Sequence, residues 1–449
     1  MSETRFSWRE ALLVYTRPQV IALWFLGFAA GLPFLLVFST LSAWLRDYEV
    51  SRSAIGFFAW VGITYSIKVF WAPVVDRLRL PGLGRLGKRR SWMLLGQLGI
   101  AAGLVGMALC DPQQQLGLIA ALALLVAFSS STQDIAIDAY RIEAAIPEFQ
   151  GAMSAAYIFG YRVALLVAGA GALFIADALN WPSAYLAMAA LMGIGMLTVL
   201  LVREPDHQED ALARETEAQL HRAVKLGPGA SRRERLEAWF LDAVVAPFVE
   251  FFRRNGVVAL WLLLFISVYR LSDITMGIMA NPFYLDLGFS KSDIATVGKL
   301  YGFVMTIVGS MVGGLLVVRF GIHRPLLAGA VLVALTNLLF AQLATVGSDI
   351  RWLTLVISAD NFSGGLSSTA FIAYLSSLTS RAYTATQYAL FSSLMTLPGK
   401  FVSGFSGVVV DGSGYFTFFI YAALLGIPAV LLAFWLVRRH RSELPQVSV

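Results

Sequence analysis

The sequence predicts an all-α polytopic membrane protein with twelve transmembrane helices. Of its 449 residues, 58% are hydrophobic and only 14% are charged, whereas an average soluble protein is roughly 45–50% apolar and about 25% charged. This composition excludes a cytosolic enzyme and a disordered protein. Because Cys110 is the single cysteine, the sequence also excludes a domain held together by internal disulfides.

Twelve segments are long and apolar enough to cross a bilayer, which takes about 20 residues in a helix. They lie at about 20–43, 54–75, 92–110, 116–139, 151–176, 182–202, 257–284, 292–318, 324–344, 351–377, 384–410 and 414–437. An even number of spans places both termini on one side, and 25 of the 34 Lys and Arg residues lie in segments on that side. Cytoplasmic segments carry such an excess, so both termini are predicted to be cytoplasmic. The net charge of +6 is thus explained by topology, and no nucleic-acid surface is predicted.

The two groups of six spans resemble each other in sequence. The pair Leu-Trp at 23–24 recurs at 260–261, and Arg162 is matched by Lys400 at nearly the same offset. A near-constant offset over several spans indicates an internal repeat. Two parallel six-span halves are the plan of the major facilitator fold, in which substrate binds between the halves near the midplane. We therefore predict two pseudo-symmetric six-helix halves.

The predicted halves occupy 1–202 and 257–449, and a cytoplasmic linker at 203–256 joins them. Apolar residues recur at helical spacing from Leu236 to Phe252, with arginines at both ends of this segment. The pattern is typical of an amphipathic helix lying in the membrane interface. A merely solvated, charged linker fits the earlier part, 206–233, better.

Span two ends at Asp76 and Arg77, and a basic cluster that contains Arg89 follows. An acid at a helix end can bind a neighbouring helix N-terminus or a cation in one state and release it in another. We therefore predict a gating role for Asp76, Arg77 and Arg89. Positive-inside charge alone would explain the basic cluster, but not the acid at the membrane face.

Nine ionisable residues fall within the predicted spans, where a central charge costs at least ~2.5–3.5 kcal/mol and therefore indicates function. The cations outnumber the acids by one, which suits an anionic substrate. Tyr161 and other aromatic residues lie near these charges and suit sugar rings, which stack on one face and hydrogen-bond at their edges. The nine residues are Lys68, Arg162, Arg270, Lys299, Lys400, Asp134, Asp138, Asp273 and Asp360.

Asp134 and Asp138 are four residues apart on span four and share one helix face. Two acids so close cannot both ionise at low cost, so one of them should hold a proton. This spacing predicts a proton-coupling site. A purely structural salt bridge, to Lys68 or between the halves, and a pair between Asp138 and Arg141 remain alternatives.

The remaining charges differ in whether a partner lies at helical spacing. Arg270 and Asp273 are three residues apart and could neutralise each other, whereas Arg162 and Lys400 have no acid at that distance, which favours contact with substrate. Lys299 lies nearer the outer side and could serve entry only. Asp360 and Asn361 precede a Gly-Gly pair that allows close approach. Together with Lys68 and Tyr161, these residues form the predicted substrate site.

Several segments resemble the AmpG-type muropeptide permeases, whose wider family also includes acetyl-coenzyme A transporters. The resemblance covers nearly the whole chain, and the span-four motif is its most specific part. The segments are LGFAAGLP at 26–33, KVFWAP at 68–73 with Asp76-Arg77, RRSW at 89–92, QDIAIDA at 133–139, GYR at 160–162, VAP at 245–247 and ATQYAL at 385–390, which adds Gln387 to the predicted site.

The resemblance implies a proton-driven importer in the bacterial inner membrane. Family substrates are N-acetylglucosaminyl-1,6-anhydro-N-acetylmuramyl peptides from cell-wall turnover, and their uptake links wall recycling to β-lactamase induction. The implied partners are this substrate, protons and the lipid bilayer, with no cofactor beyond the proton gradient and with a monomeric chain. This sequence has Arg270, Asp360 and Lys400 where the family often has Lys, Glu and Arg, which keeps the charge but changes reach and geometry.

Three other functions remain open at this stage. The protein could carry another large anion such as acetyl-coenzyme A or a small peptide, or it could be a non-transporting membrane receptor. A membrane enzyme is the third, but the sequence has no HExxH and no GxSxG motif, so neither a metal site nor catalysis is predicted. The intramembrane acids and the prolines within the spans, at Pro33, Pro73, Pro282 and Pro398, favour transport. We expect these prolines to interrupt their helices and act as bending points.

Overall fold

A computed structural model describes residues 7–50, 58–205, 240–290, 293–403 and 405–443. These residues form helices and connecting segments, without a β-strand in the described ranges. Because the number of spans is even, both ends of the described chain lie on the same side of the bundle. We call this side the terminal side. The fold confirms the predicted twelve-span, all-α architecture.

Spans one to six follow a short helix, Trp8–Leu13. Spans three, four and six are each a single helix, and span five contains a π-helical segment between two α-helices. The helices are Pro18–Leu36 and Ser39–Asp47 in span one, Ile63–Ser66 and Ala72–Arg77 in span two, Lys88–Ala108 in span three, Leu116–Glu143 in span four, Gln150–Leu166 and Ala172–Ala178 in span five, and Trp181–Leu201 in span six.

Spans seven to twelve follow the same order. Span eight begins with a π-helix, Ile294–Tyr301. The helices are Val258–Tyr269 and Leu271–Asp286 in span seven, Gly302–Phe320 in span eight, His323–Val346 in span nine, Ile350–Leu378 in span ten, Thr384–Ser403 in span eleven, and Ser406–Leu425 and Ile427–Glu443 in span twelve.

Length and apolarity alone identify nine helical segments of the described chain as able to cross a membrane. The other three are spans two, ten and eleven. Span two is broken into short helical pieces, and spans ten and eleven carry many Ser, Thr, Asn and Gln side chains. Polar side chains in a membrane bundle face the protein interior or a water-filled cavity, so these three spans border the functional interior.

The prediction that prolines interrupt the spans is wrong at three positions. Pro33, Pro282 and Pro398 lie inside continuous helices, whereas span seven breaks at Arg270, which has φ −100° and ψ 5°. Neighbouring helices in a membrane bundle can satisfy the carbonyl group that a proline leaves free, so a proline need not end the helix. In span two the breaks come at Ile67 and Trp71, just before Pro73.

Spans one and five approach each other at glycines. A methyl group built on Gly160 would overlap the carbonyl oxygen of Trp24, and one on Gly27 would overlap that of Tyr157. Two helices can approach this closely only when no Cβ stands between their backbones. The contact fixes span five, which carries Arg162, against span one.

We expect Gly160→Ala to destabilise the protein by ~1–3 kcal/mol, the usual cost of overpacking a closely packed contact. Gly193→Ala in span six is the matched control, because the space around its added methyl is open and alanine is the better helix former. Thermal unfolding in detergent should show a lower Tm for the first variant only. Equal Tm values would mean that the two spans can move apart without cost.

The described part of the linker begins at Phe240 and ends in a helix, Ala246–Asn255, which we call the linker helix. The earlier part of the predicted amphipathic segment, including Leu236, lies outside the described residues. One face of the linker helix packs on protein: Phe251 packs on Phe391 of span eleven, and Glu250 is fully buried. The linker helix therefore packs on the second half through one face, whereas Phe252 and Arg253 on it are exposed, and its interfacial position stays a prediction.

Candidate functional site

Span four carries the centre of a buried charge cluster. Asp138 lies between two cations: its Oδ2 atom is 4.0 Å from Nζ of Lys68, and its Oδ1 atom accepts a 3.4 Å hydrogen bond from Arg141. The geometry therefore contains both ion pairs that the sequence left as alternatives. Loss of the Asp138 charge would leave two buried cations facing one neutral group.

Arg141 connects this cluster to the second half of the protein. The side chain is fully buried, donates to Ser376 of span ten at 2.7 Å, and has its Cζ atom 5.1 Å from the ring centre of Tyr388 in span eleven. Sequence reasoning did not assign Arg141 to the site, although its position one turn after Asp138 was a signal. No residue spacing in the sequence indicated the contact between Arg141 and Ser376, which lie 235 residues apart.

Asp134 lies one turn away from Asp138, and its neighbourhood differs. It interacts electrostatically with Lys68 and Asp138. Its Oδ1 atom is buried and has no hydrogen-bond partner within the described ranges. A buried, unpartnered carboxylate oxygen is costly when it is charged, so this position suits a carboxyl group that carries a proton in part of the cycle.

A second group of charges lies between the halves. The guanidinium of Arg270 donates to Asp273 at 2.6 Å, and about a third of each of these two side chains is exposed. Arg162 of span five is exposed and interacts electrostatically with both of them. The three residues come from different halves, so the space that Arg162 faces lies between the halves.

Lys400, Asp360 and Tyr161 extend this group. Lys400 is exposed and donates to Ser66 of span two at 3.1 Å. Asp360 is half-buried, accepts from Thr336 at 3.4 Å and interacts electrostatically with Asp273. Tyr161 is half-buried, and its ring centre lies 6.1 Å from that of Tyr157. Cations, acids and aromatic rings are thus available to one interior space.

Three predicted residues do not join this group. Asn361 accepts from Thr306 at 2.9 Å and so links span ten to span eight. Gln387 is buried on the terminal side, where its amide donates to the carbonyl of Pro247 at 2.8 Å and to Glu250 at 2.6 Å. This position under the linker helix is a correction to its predicted place in the substrate site. The side chain of Lys299 lies outside the described residues.

The terminal gate is the polar contact between the halves formed by Asp76, Arg89, Glu143, Thr384 and Thr386. Asp76 accepts from Arg89 at 2.8 Å and from the backbone N–H of Thr386, at the start of span eleven, also at 2.8 Å. Arg89 also donates to Glu143 and to Thr384 at 2.6 Å each, and Thr384 makes a further hydrogen bond to Glu143. These contacts join spans two, three and four to span eleven.

Two further observations describe the gate. Arg77 lies with its Cζ atom 5.1 Å from the ring centre of Tyr383, so all three predicted gating residues lie at this contact. Burial alone would raise the pKa of Asp76, one residue beyond the predicted span, but the positive charges of Arg89 and Lys88 and the Thr386 N–H hold this pKa below its usual range. Asp76 is therefore an ionised acceptor at neutral pH, and the halves are closed on the terminal side.

The comparisons with known proteins agree with this architecture. The family model of the Major Facilitator Superfamily matches residues 23–399 and 271–448. Among solved structures, the Escherichia coli fucose:proton symporter FucP superposes with a TM-score of 0.63 at 14% identity, covering 93% of this chain and 97% of that one. The human organic anion transporter MFSD10 gives 0.60 at 14% identity and covers 92% and 99%. At this identity the similarity shows the fold alone.

Relatives with higher identity cover nearly the whole chain. The anhydromuropeptide permease of Escherichia coli K12 is 33% identical over 98% of this chain and 83% of that protein. A Rickettsia conorii protein that carries the AmpG name is 33% identical over 93% and 96%, and an uncharacterized Haemophilus influenzae protein is 35% identical over 94% and 95%. The chain therefore belongs to the Major Facilitator Superfamily and, within it, to the AmpG-type family, as a multi-pass membrane transporter and not an enzyme.

Proposed function

We propose that the protein is a proton-coupled importer of anhydromuropeptides that works by alternating access. The observation that carries the proposal is the presence of two groups of residues, one that faces the space between the halves and one on span four. A space between the halves presents Arg162 and Lys400, and a buried acid cluster on span four contacts the second half through Arg141. A transporter needs both a substrate site between its halves and a group that ties ion binding to their movement.

The chemistry of the interior space supports this substrate class. Anhydromuropeptides combine a disaccharide with carboxylates on the peptide portion. Carboxylates call for exposed cations with hydrogen-bonding capacity, which Arg162 and Lys400 offer. Sugar rings are bound through stacking and edge hydrogen bonds, which Tyr161 and the neighbouring Tyr157 can provide. The name of the Escherichia coli relative points to the same substrate.

Proton coupling is proposed for Asp134 and Asp138. When Asp138 is ionised, it binds both Lys68 and Arg141. Protonation would weaken both ion pairs and free Arg141 to alter its contacts with Ser376 and Tyr388. Because these two partners belong to the second half, a proton on span four would change the energy of closing the halves on the terminal side.

The cellular arrangement follows from the same proposal. The excess of Lys and Arg on the terminal side favours cytoplasmic termini in a bacterial inner membrane, with six-helix halves at 1–202 and 257–449 and a linker between them. The chain is proposed to work as a monomer without a cofactor, driven by the proton gradient. Uptake into proteoliposomes, with and without an imposed pH gradient, separates this function from a passive receptor. Thermal-shift binding of a disaccharide-peptide and of coenzyme A, side by side, separates it from transport of another large anion.

We expect Arg162→Gln to weaken binding of an anionic disaccharide-peptide about ten- to a hundred-fold, because a charge-assisted hydrogen bond contributes about 1.5–3 kcal/mol. Lys400→Gln should weaken it less, since an ammonium group lacks the bidentate fork of arginine. Binding measured by thermal shift or calorimetry should change little for a disaccharide-peptide whose carboxylates are amidated.

Arg17→Gln is the matched control for this test, because Arg17 is an exposed arginine at the start of span one, outside the space between the halves. Equal losses of affinity for charged and amidated ligands would contradict charge recognition. They would mean that the two cations hold the helices together instead of contacting the carboxylates of the substrate.

A further inference from the structure

A groove of about 630 Å³ lies on the outside of the second half, between spans nine and twelve. It is separate from the space between the halves, because neither of these two spans contributes to the charge clusters of the transport site, apart from Thr336 beside Asp360. The residues that define the groove are Arg324, Leu327, Val331, Phe434, Val437 and Arg438. One end is therefore basic and the rest is apolar.

Both arginines lie at the terminal-side end of the groove. Arg324 is the second residue of span nine, and Arg438 lies in the last turns of span twelve. Both side chains are exposed, and in the described ranges neither forms an ion pair or a hydrogen bond. The guanidinium of Arg438 stands 4.3 Å from the ring centre of Phe434, which directs it along the groove wall. Two guanidinium groups without an ion-pair partner in the described ranges, at the terminal-side end of the groove, are suited to bind a phosphate oxygen.

The apolar part of the groove continues away from the arginines. On span nine, Val331 is followed at helical spacing by Leu335 and Leu338, which are 52% and 42% exposed. On span twelve, Phe434 and Leu431 are 43% and 63% exposed. These two exposed apolar rows run in the direction of the membrane interior, which is the direction that acyl chains take from a headgroup at the interface.

We propose that this groove is a specific binding site for one anionic phospholipid, whose phosphate group binds Arg324 and Arg438 and whose acyl chains lie along spans nine and twelve. Basic pockets between helices at the cytoplasmic side of a membrane protein suit anionic headgroups. A second copy of this chain is a poorer occupant, since a symmetric contact through the same groove would bring four arginines together. The proposal does not depend on the transported substrate.

The test is a lipid titration of the purified full-length protein, followed by native mass spectrometry. The probes are phosphatidylglycerol and phosphatidylcholine with identical acyl chains. We expect the first bound phosphatidylglycerol to have at least about tenfold higher affinity than phosphatidylcholine, and the double variant Arg324→Gln/Arg438→Gln to lose this preference, because each arginine near a membrane surface adds to the attraction of an anionic lipid.

The matched control is Arg9→Gln/Arg17→Gln, which removes two exposed arginines on the same terminal side but outside the groove. This variant should keep the preference, and both variants should keep the wild-type Tm in detergent without added lipid. Equal affinities for the two lipids in the wild type would overturn the proposal. So would equal losses in both double variants, since they would indicate a general attraction to basic segments. A dimer that displaces lipid from the groove would overturn the proposal as well.

Discussion

Asp134→Asn should abolish accumulation driven by a pH gradient and leave the fold intact. One pH unit across the membrane is worth ~1.4 kcal/mol per proton, so a transporter that moves one proton with each substrate can accumulate substrate about tenfold. An asparagine cannot carry that proton. The Oδ1 atom of Asp134 has no partner to lose within the described ranges, so the thermal stability of the variant should stay close to that of the wild type.

Asp138→Asn should also abolish accumulation, but with a cost in stability. Asp138 is the shared partner of Lys68 and Arg141, and removing one member of a buried ion pair costs about 3–5 kcal/mol because it leaves a buried charge uncompensated. We therefore expect a lower Tm for this variant and not for Asp134→Asn. A purely structural role for both acids would instead lower the Tm in both and leave coupling intact in the protein that folds.

Two measurements in proteoliposomes test this prediction. Accumulation under an imposed pH gradient should fall to the level seen without the gradient, whereas exchange of labelled for unlabelled substrate at equal pH should persist. Asp177→Asn is the matched control, because Asp177 is an exposed acid near the end of span five, away from the span-four cluster. If both Asn variants still accumulate substrate at the wild-type level, the coupling assignment is wrong.

The sequence predicted the local features of the fold better than the distant ones. Apolar runs marked the spans, because a bilayer requires about 20 apolar residues in a helix. Spacing within one helix identified the contacts of Arg270 with Asp273 and of Asp138 with Arg141, both of which are present. Such contacts depend only on the geometry of a single helix, which sequence spacing determines directly.

Contacts between distant segments had no such signal. Arg141 reaches Ser376, and Gln387 reaches the linker helix at Pro247 and Glu250, across 137 residues or more. These pairs depend on how the two halves pack, and one sequence without relatives does not report that packing. Gln387 was assigned to the substrate site through its motif alone, and the structure shows why a motif residue can instead hold a helix in place.

The breaks in the helices show the same limit. Proline was expected to mark them, yet the break in span seven falls at Arg270 and those in span two at Ile67 and Trp71. A helix in a membrane breaks where neighbouring groups satisfy its free backbone atoms. This depends on the surroundings of the backbone and not only on the residue itself.

Asp76→Asn should slow transport with little change in equilibrium affinity for substrate. Asp76 accepts hydrogen bonds from Arg89 and from the backbone N–H groups of Ala385 and Thr386. Asparagine has one acceptor oxygen and no charge, so the state closed on the terminal side should lose ~1–3 kcal/mol relative to the open state. That loss shifts the ratio of the two states about five- to a hundred-fold, but the substitution leaves Arg162 and Lys400, the residues proposed to bind substrate, unchanged.

Distances between spin labels can follow this shift. Labels at Glu148→Cys and Arg324→Cys, in a Cys110→Ser background, report the separation of the halves on the terminal side, since these two exposed residues lie in different halves. Asp76→Asn should populate a longer distance. The control Asp47→Asn removes an acid that binds Trp181 within the first half at 2.8 Å, and it should leave the distance distribution unchanged.

The pH dependence distinguishes the gate from the span-four acids. The folded-state pKa of Asp76 is lowered by Arg89, Lys88 and the Thr386 N–H, which outweigh burial, so the stability that it contributes is fully present above the unfolded pKa of about 3.9. That stability is lost only as pH falls through the lower folded value. Between about pH 5 and pH 8 the gate therefore keeps its charge. Asp76→Asn should lower the transport rate by the same factor across that range, and a change in the shape of the pH profile would place Asp76 in the proton path instead.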